Sequence, residues 1–143
     1  MRFSEAAGRK VVSTSTADTV GRIDEFVVDP RARAVVALKL KKTAAGDSLY
    51  WSDITAFGAD AVTVTGADRI GPANADVVAL TGKAHHLLGK RALSTTGDEL
   101  GKVDDVEFEP DSGEITGLVL SGGRVEGIRL VGVGSYAVVV QAQ

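Results

Sequence analysis

The chain has 143 residues, enough for one ordinary domain or two very small ones. Hydrophobic residues at 44% and charged residues at 24% describe a globular chain, and a formal net charge of −3 is too small to imply a polyionic partner. No apolar run reaches the ~18 residues of a membrane span, and zero cysteines exclude disulfides, thiol catalysis and cysteine-ligated metals.

The chain begins with MRFSEAAGRKVV, which has no apolar signal-peptide core, so a cytoplasmic location is expected. Ser4-Glu5-Ala6-Ala7 reads as a short helical turn ahead of Gly8. Short apolar runs bounded by turn residues then predict strands over 11–14, 21–29, 34–41, 49–54 and 61–65. Gly21 opens the second of these, where a positive φ or a tight approach is expected. The inward residues of that strand, Ile23, Phe26 and Val28, break the period of two between Ile23 and Phe26. That break predicts a β-bulge at Asp24-Glu25, followed by a turn at Asp29-Pro30-Arg31. Tyr50 and Trp51 are neighbours on a predicted strand and so face opposite sides. One belongs to the core, with Trp51 the stronger candidate, and the other is a candidate interface anchor.

Gly71-Pro72 closes this first unit, and Asn74 or Asp76 is placed to cap a short helix running toward Leu88. The divisions expected are 1–68, a linker over 69–83, and a second unit over 84–143. Strands follow over 91–95, 101–109, 114–121, 127–131 and 136–141. Gly101 takes the role of Gly21, Asp104-Asp105 forms the bulge, and Pro110 to Gly113 makes a hairpin turn with glycine available for positive φ. Asp105, Glu107 and Glu109 alternate along the strand, which puts them on one solvated face with a basic partner or a cation as the sharper reading.

These two series are one pattern written twice. VGRIDEFVVDPRARAVVALKL (20–40) aligns with LGKVDDVEFEPDSGEITGLVL (100–120) at an offset of 80 without a gap. Upstream, Gly8 to Thr14 match Gly89 to Thr95 at offset 81; downstream, Phe57-Gly58 matches Val133-Gly134 at offset 76. Length changes confined to turns are what two copies of one β-fold should show. Each copy alone is too small to bury much, so a shared interface is expected.

GRKVVSTSTADTVGRIDEFVVDP and GKRALSTTGDELGKVDDVEFEP both resemble the PRC-barrel family, whose pattern is a Gly-Lys/Arg start, a G-[KR]-[IV]-x-[DE] strand and an acid-proline turn. The resemblance implies a mostly all-β fold: two small β-barrels in tandem, related by a pseudo-two-fold and joined by a short helical linker. It also implies a non-enzymatic adaptor that binds another protein. A ribosome- or RNA-associated assembly factor is the alternative, because a ribosome maturation factor carries a related barrel.

The residues themselves carry no catalytic, metal or cofactor constellation. His85-His86 are the only histidines and point about 100° apart on a helix. The glycines of Gly122-Gly123 and Gly132-Val133-Gly134 are hairpin glycines. Arg31, Arg33, Lys39, Lys41 and Lys42 form a basic cluster, but aromatics are 5% of the chain and nucleic acid is not the expected partner. Residues 1–70 carry a net +1 and residues 71–143 a net −4. The most apolar strand, Tyr136 to Val140, is expected at an open edge, making Tyr136 and Val139 the seam of a homodimer.

Overall fold

Both bulges form where the period breaks, and each lies where one long strand changes partner. In the computed structural model, which describes residues 1–143, strand β2 (Thr19–Asp29) pairs through its first residues with β1 (Lys10–Ser13). Its later residues pair with β3 (Ala34–Lys41), and the register slips between Ile23 and Glu25. The second copy repeats this with β7 (Arg91–Ser94), β8 (Glu99–Phe108) and β9 (Ile115–Leu120), slipping between Val103 and Asp105. A bulge adds twist at the point where the sheet must turn a corner.

The predicted strand 49–54 is broken into β4 (Ser48–Tyr50), a 3₁₀ turn at Trp51–Asp53 and β5 (Ala56–Phe57), ahead of β6 (Ala61–Val64). The second copy likewise has β10 (Gly123–Glu126), a 3₁₀ turn at Gly127–Arg129, β11 (Leu130–Val133) and β12 (Ala137–Val140). Each repeat is therefore a six-stranded sheet, ordered β4-β3-β2-β1-β6-β5 and β10-β9-β8-β7-β12-β11. The reason for the break is geometric. β4 and β5 are opposite edges of one sheet, yet only the five residues 51–55 join them. Such a link spans about 20 Å, while six flat strands would separate their edges by about 24 Å. The sheet must curl, and the 3₁₀ turn carries the chain across the gap. In the second copy only the three residues 127–129 make the crossing.

First and last full strands pair in parallel, β1 with β6 and β7 with β12. This places β12 between β7 and β11. The strand expected at an open edge is thus interior, and the strand-edge argument for a homodimer through Tyr136 and Val139 loses its basis.

Asn74 caps the linker helix α2 (Ala75–Val78), its side chain accepting from Val77 N at 2.9 Å. The helix stops there rather than running to Leu88, and Gly82 follows with φ of 96°. Before β1 stands α1 (Phe3–Ala6), matching the helical turn expected at the N-terminus.

The repeats join about a pseudo-two-fold that can be located residue by residue. Ala34 pairs with Glu114, its own equivalent at offset 80. Val35 N donates to Gly113 O at 2.8 Å, and Ile115 N donates to Arg33 O at 2.7 Å. The two hydrogen bonds are images of each other, as an isologous contact requires. Arg33 (φ 53°) and Gly113 (φ 79°) hold the same left-handed turn conformation on either side. Glycine is the residue that fits at 113, since an added Cβ would stand 2.7 Å from Val35 O.

One continuous core of 25 buried residues runs through both sheets. At its centre Phe108 of the second repeat meets Phe3, Phe26, Phe57 and Trp51 of the first, with centroids 5.3 to 6.2 Å away. Every phenylalanine and the single tryptophan belong to this cluster.

Phe108→Ala should therefore cost about 3–5 kcal/mol. It should shift unfolding seen by Trp51 fluorescence, in the first repeat, together with unfolding seen by far-ultraviolet dichroism. Separate transitions for the two signals would contradict a shared core. At the paired glycines the costs should differ. Gly101 has φ of 120°, whereas Gly21 has ordinary φ and only a close neighbour, Thr43 Cγ2, at 3.0 Å from an added Cβ. Gly101→Ala should cost about 1–3 kcal/mol, and Gly21→Ala less, as thermal unfolding would show.

Candidate functional site

The N-terminal segment of each repeat docks on the bulge of the other. α1 sits over β8, where the Ser4 N–H and hydroxyl both donate to the Asp105 carboxylate. Met1 and Phe108 exchange backbone hydrogen bonds beside it, at 3.0 and 2.7 Å. In the opposite sense His86, at the entry to the second repeat, reaches the β2 bulge. Its Nε2 lies 3.2 Å from Glu25 Oε2, off the line a hydrogen bond needs. Between these crossings runs a crevice of 170 Å³ floored by Phe3, Phe26 and Leu87 and rimmed by Asp24 and Glu25.

The acidic series does not share one solvated face. Asp105, only 7% exposed, turns inward at the bulge; besides Ser4 it accepts from Val106 N at 2.9 Å. Glu107 faces outward and is paired with Arg124 at 2.6 Å. Arg124 reaches it from β10 by crossing β9 above Gly117, where a Cβ would meet the guanidinium at 2.5 Å. The same guanidinium holds Glu126 at 2.6 Å, and these hydrogen bonds, Glu107 first, raise its pKa further. Glu109 is exposed and accepts from Asp111 N at 3.2 Å inside the hairpin turn. Two slips of register, at Asp104 and between Glu107 and Phe108, explain the scattering. Asp24 and Asp104 are the residues left over at the bulges, and Pro30 and Pro110 sit in their turns.

Tyr50 and Trp51 are both half-buried, neither fully core nor exposed. The 3₁₀ turn after Tyr50 removes the strand alternation on which the opposite-face reading rested. The Tyr50 hydroxyl accepts from Asn74 N at 2.8 Å and so ties the linker to β4. Trp51 packs on Phe57 and on the Gly113 turn of the other repeat. Val139 is half-buried within interior β12. Tyr136 is 66% exposed just before that strand, and the Arg91 guanidinium lies 4.8 Å over its ring.

Of the exposed large apolar side chains, the sequence pattern singles out Tyr136 alone. These side chains are Val78, Leu88, Ile128 (74% exposed), Val131 and Tyr136, all in the linker or second repeat. Their first-repeat equivalents at offsets 81 and 76 are Ala7, Ser52, Thr55 and Asp60 for Leu88, Ile128, Val131 and Tyr136. A position-by-position comparison of the copies carries this signal; a search for periodicity does not, because Ile128 sits in a turn. Val131 lies where the edge strand β11 slips register against β12.

Residues 82–142 match the sequence model of the PRC-barrel domain, and the second repeat belongs to that family. No curated protein matches the chain. No helix is long and apolar enough to cross a membrane.

The Asp105 crossing should be structural in effect. Asp105→Ala strands the Ser4 and Val106 donors and should cost about 1–3 kcal/mol. Amide exchange at Ser4 and Val106 should accelerate well before global unfolding. Unchanged exchange at both positions would show that the carboxylate holds nothing in place.

Proposed function

We propose that the chain is a non-enzymatic adaptor in which the second repeat presents the binding face and the first repeat is its structural partner. PRC-barrels are a protein-interaction fold, and the observation that carries the reading is the one-sided display of apolar side chains. Ile128 and Val131 flank the start of β11, an edge strand with no strand partner on its outer side, where Arg33 Nε donates to the Leu130 carbonyl. An edge bordered by exposed aliphatic groups suits a partner that adds backbone along β11 and buries the two side chains. The net −4 of residues 71–143 favours a partner with a basic rim, an orienting effect screened beyond about 8 Å at physiological salt.

The two-fold association expected between chains is met, on this reading, between repeats of one chain. The reciprocal bonds at Ala34 and Glu114 occupy the isologous surface that two separate copies would use. The single chain of 14.8 kDa is then the working unit in place of a homodimer. An RNA-associated role has less support. Arg33 of the basic cluster is committed, its Nε donating to Leu130 O at 2.9 Å across the junction.

Cross-linking mass spectrometry in native lysate tests this with paired variants. Ile128→Asp with Val131→Asp should abolish the cross-links to a partner formed by the wild type. Ser52→Asp with Thr55→Asp, at the matching places of the first repeat, should leave them. Loss with the second pair and retention with the first would reverse the assignment of the binding face. Light scattering should report the mass of one chain.

A further inference from the structure

The second repeat has an open basic cleft. It measures 610 Å³ and is lined by Lys90, Arg91, Lys102, Glu99, Ser121 and Tyr136, with Gly89 and Gly101 at its back. Three cations stand here against one carboxylate, in the half of the chain whose net charge is −4. Burial lowers the pKa of Lys90, whose ammonium donates to Lys83 O at 2.8 Å. Arg91 is shared between Glu99 Oε1 at 3.2 Å and the Tyr136 hydroxyl at 3.1 Å.

The uncommitted groups are donors. Ser121 Oγ accepts from Lys102 N at 3.1 Å, which leaves its hydroxyl proton free. The Tyr136 oxygen accepts from Arg91, which leaves its proton free as well. The Lys102 ammonium has no carboxylate or carbonyl partner, and Lys90 keeps further N–H groups after serving Lys83. A concave site with surplus positive charge and surplus donors calls for an anion with several acceptor oxygens.

The matching place in the first repeat carries different groups. Arg22, the equivalent of Lys102, is tethered to the backbone, its Nη1 donating to Gly8 O at 3.1 Å. Thr19 replaces Glu99, Lys41 replaces Ser121, and Asp60 replaces Tyr136. The hydroxyl pair belongs to the second copy alone.

We propose that this cleft binds a phosphate monoester, with Lys102 and Ser121 as its principal contacts and Lys90 and Arg91 completing the charge. The dianion offers acceptors in several directions, matching donors that come from β7, β8, the turn after β9 and the turn before β12. The inference stands apart from the adaptor reading, because its principal contacts, Lys102 and Ser121, are not the apolar groups Ile128 and Val131 on which that reading rests.

Titration followed by amide spectra tests it, using inorganic phosphate, a phosphoserine peptide and a nucleoside monophosphate as probes. Saturable shifts should be confined to Gly89–Arg91, Gly101–Lys102 and Ser121. Lys102→Gln should bind about tenfold more weakly, as should Lys90→Gln, while Lys42→Gln in the first repeat should bind as the wild type does. Tighter binding of the peptide than of inorganic phosphate would identify the source as a modified protein. Tighter binding of the nucleotide would identify a free small molecule. No saturation with any probe, or equal binding by Lys102→Gln in a protein of unchanged melting temperature, would overturn the proposal.

Discussion

The antiparallel contact of Ala34 with Glu114 is the constraint from which the rest of the molecule follows. A residue paired with its own equivalent fixes a two-fold axis at that point. β4 covers β3 only along Ala37 to Lys39, so the start of β3 has a bare edge, and the second repeat supplies the missing backbone partner. Once this edge is joined, Trp51 is brought against Gly113, Arg33 against Leu130, and α1 against Asp105. Each of these contacts crosses between the repeats. A small barrel leaves edges that must be covered, and here one repeat covers the other.

The crossing of the N-terminal segments has an energetic logic of its own. A six-stranded barrel of some sixty residues buries too little to be comfortable alone. Sending each repeat's first helical segment onto the other's bulge enlarges the shared core without lengthening either sheet. The two crossings are unequal: Asp105 is buried and accepts three hydrogen bonds, while His86 and Glu25 remain partly solvated. A buried carboxylate left without donors is costly, so α1 is the better anchored of the two. The crevice between them is accordingly bordered by one firm wall and one looser wall.

What the sequence discloses is what short-range chemistry determines. The bulges at Asp24 and Asp104 are legible because a gap of three in a period of two has one structural meaning. The Gly113 turn and the Asn74 cap are legible because each needs only its neighbours in the chain. The interior position of β12 is not, since it depends on parallel pairing with β7, 46 residues away, and no residue of β12 encodes that choice. The inward turn of Asp105 is not legible either, for a related reason. Alternation assigns it outward, but the slip at Asp104 turns it inward, and its partner Ser4 lies 101 residues upstream. The apolar face at Ile128 was legible in principle, through comparison of the copies.

That comparison also explains why two similar repeats differ in bulk where they meet. The first copy has Phe26 and Val28; the second has Val106 and Phe108 at the matching places. Near a two-fold axis equivalent side chains approach each other, so a large residue on one side calls for a smaller one opposite. Phe26 and Phe108 lie 5.6 Å apart as a tilted pair, and placing phenylalanine at all four positions would overfill the same volume. Trp51 and Gly127 divide their matched turn position in the same way: Trp51 packs toward Phe108, while any Cβ at 127 would stand 1.9 Å from Ile115 O. Identical copies could not satisfy both sides of such a junction. The unlike pairs make each repeat a better partner for the other than for a second copy of itself. Both repeats are thereby committed to the junction.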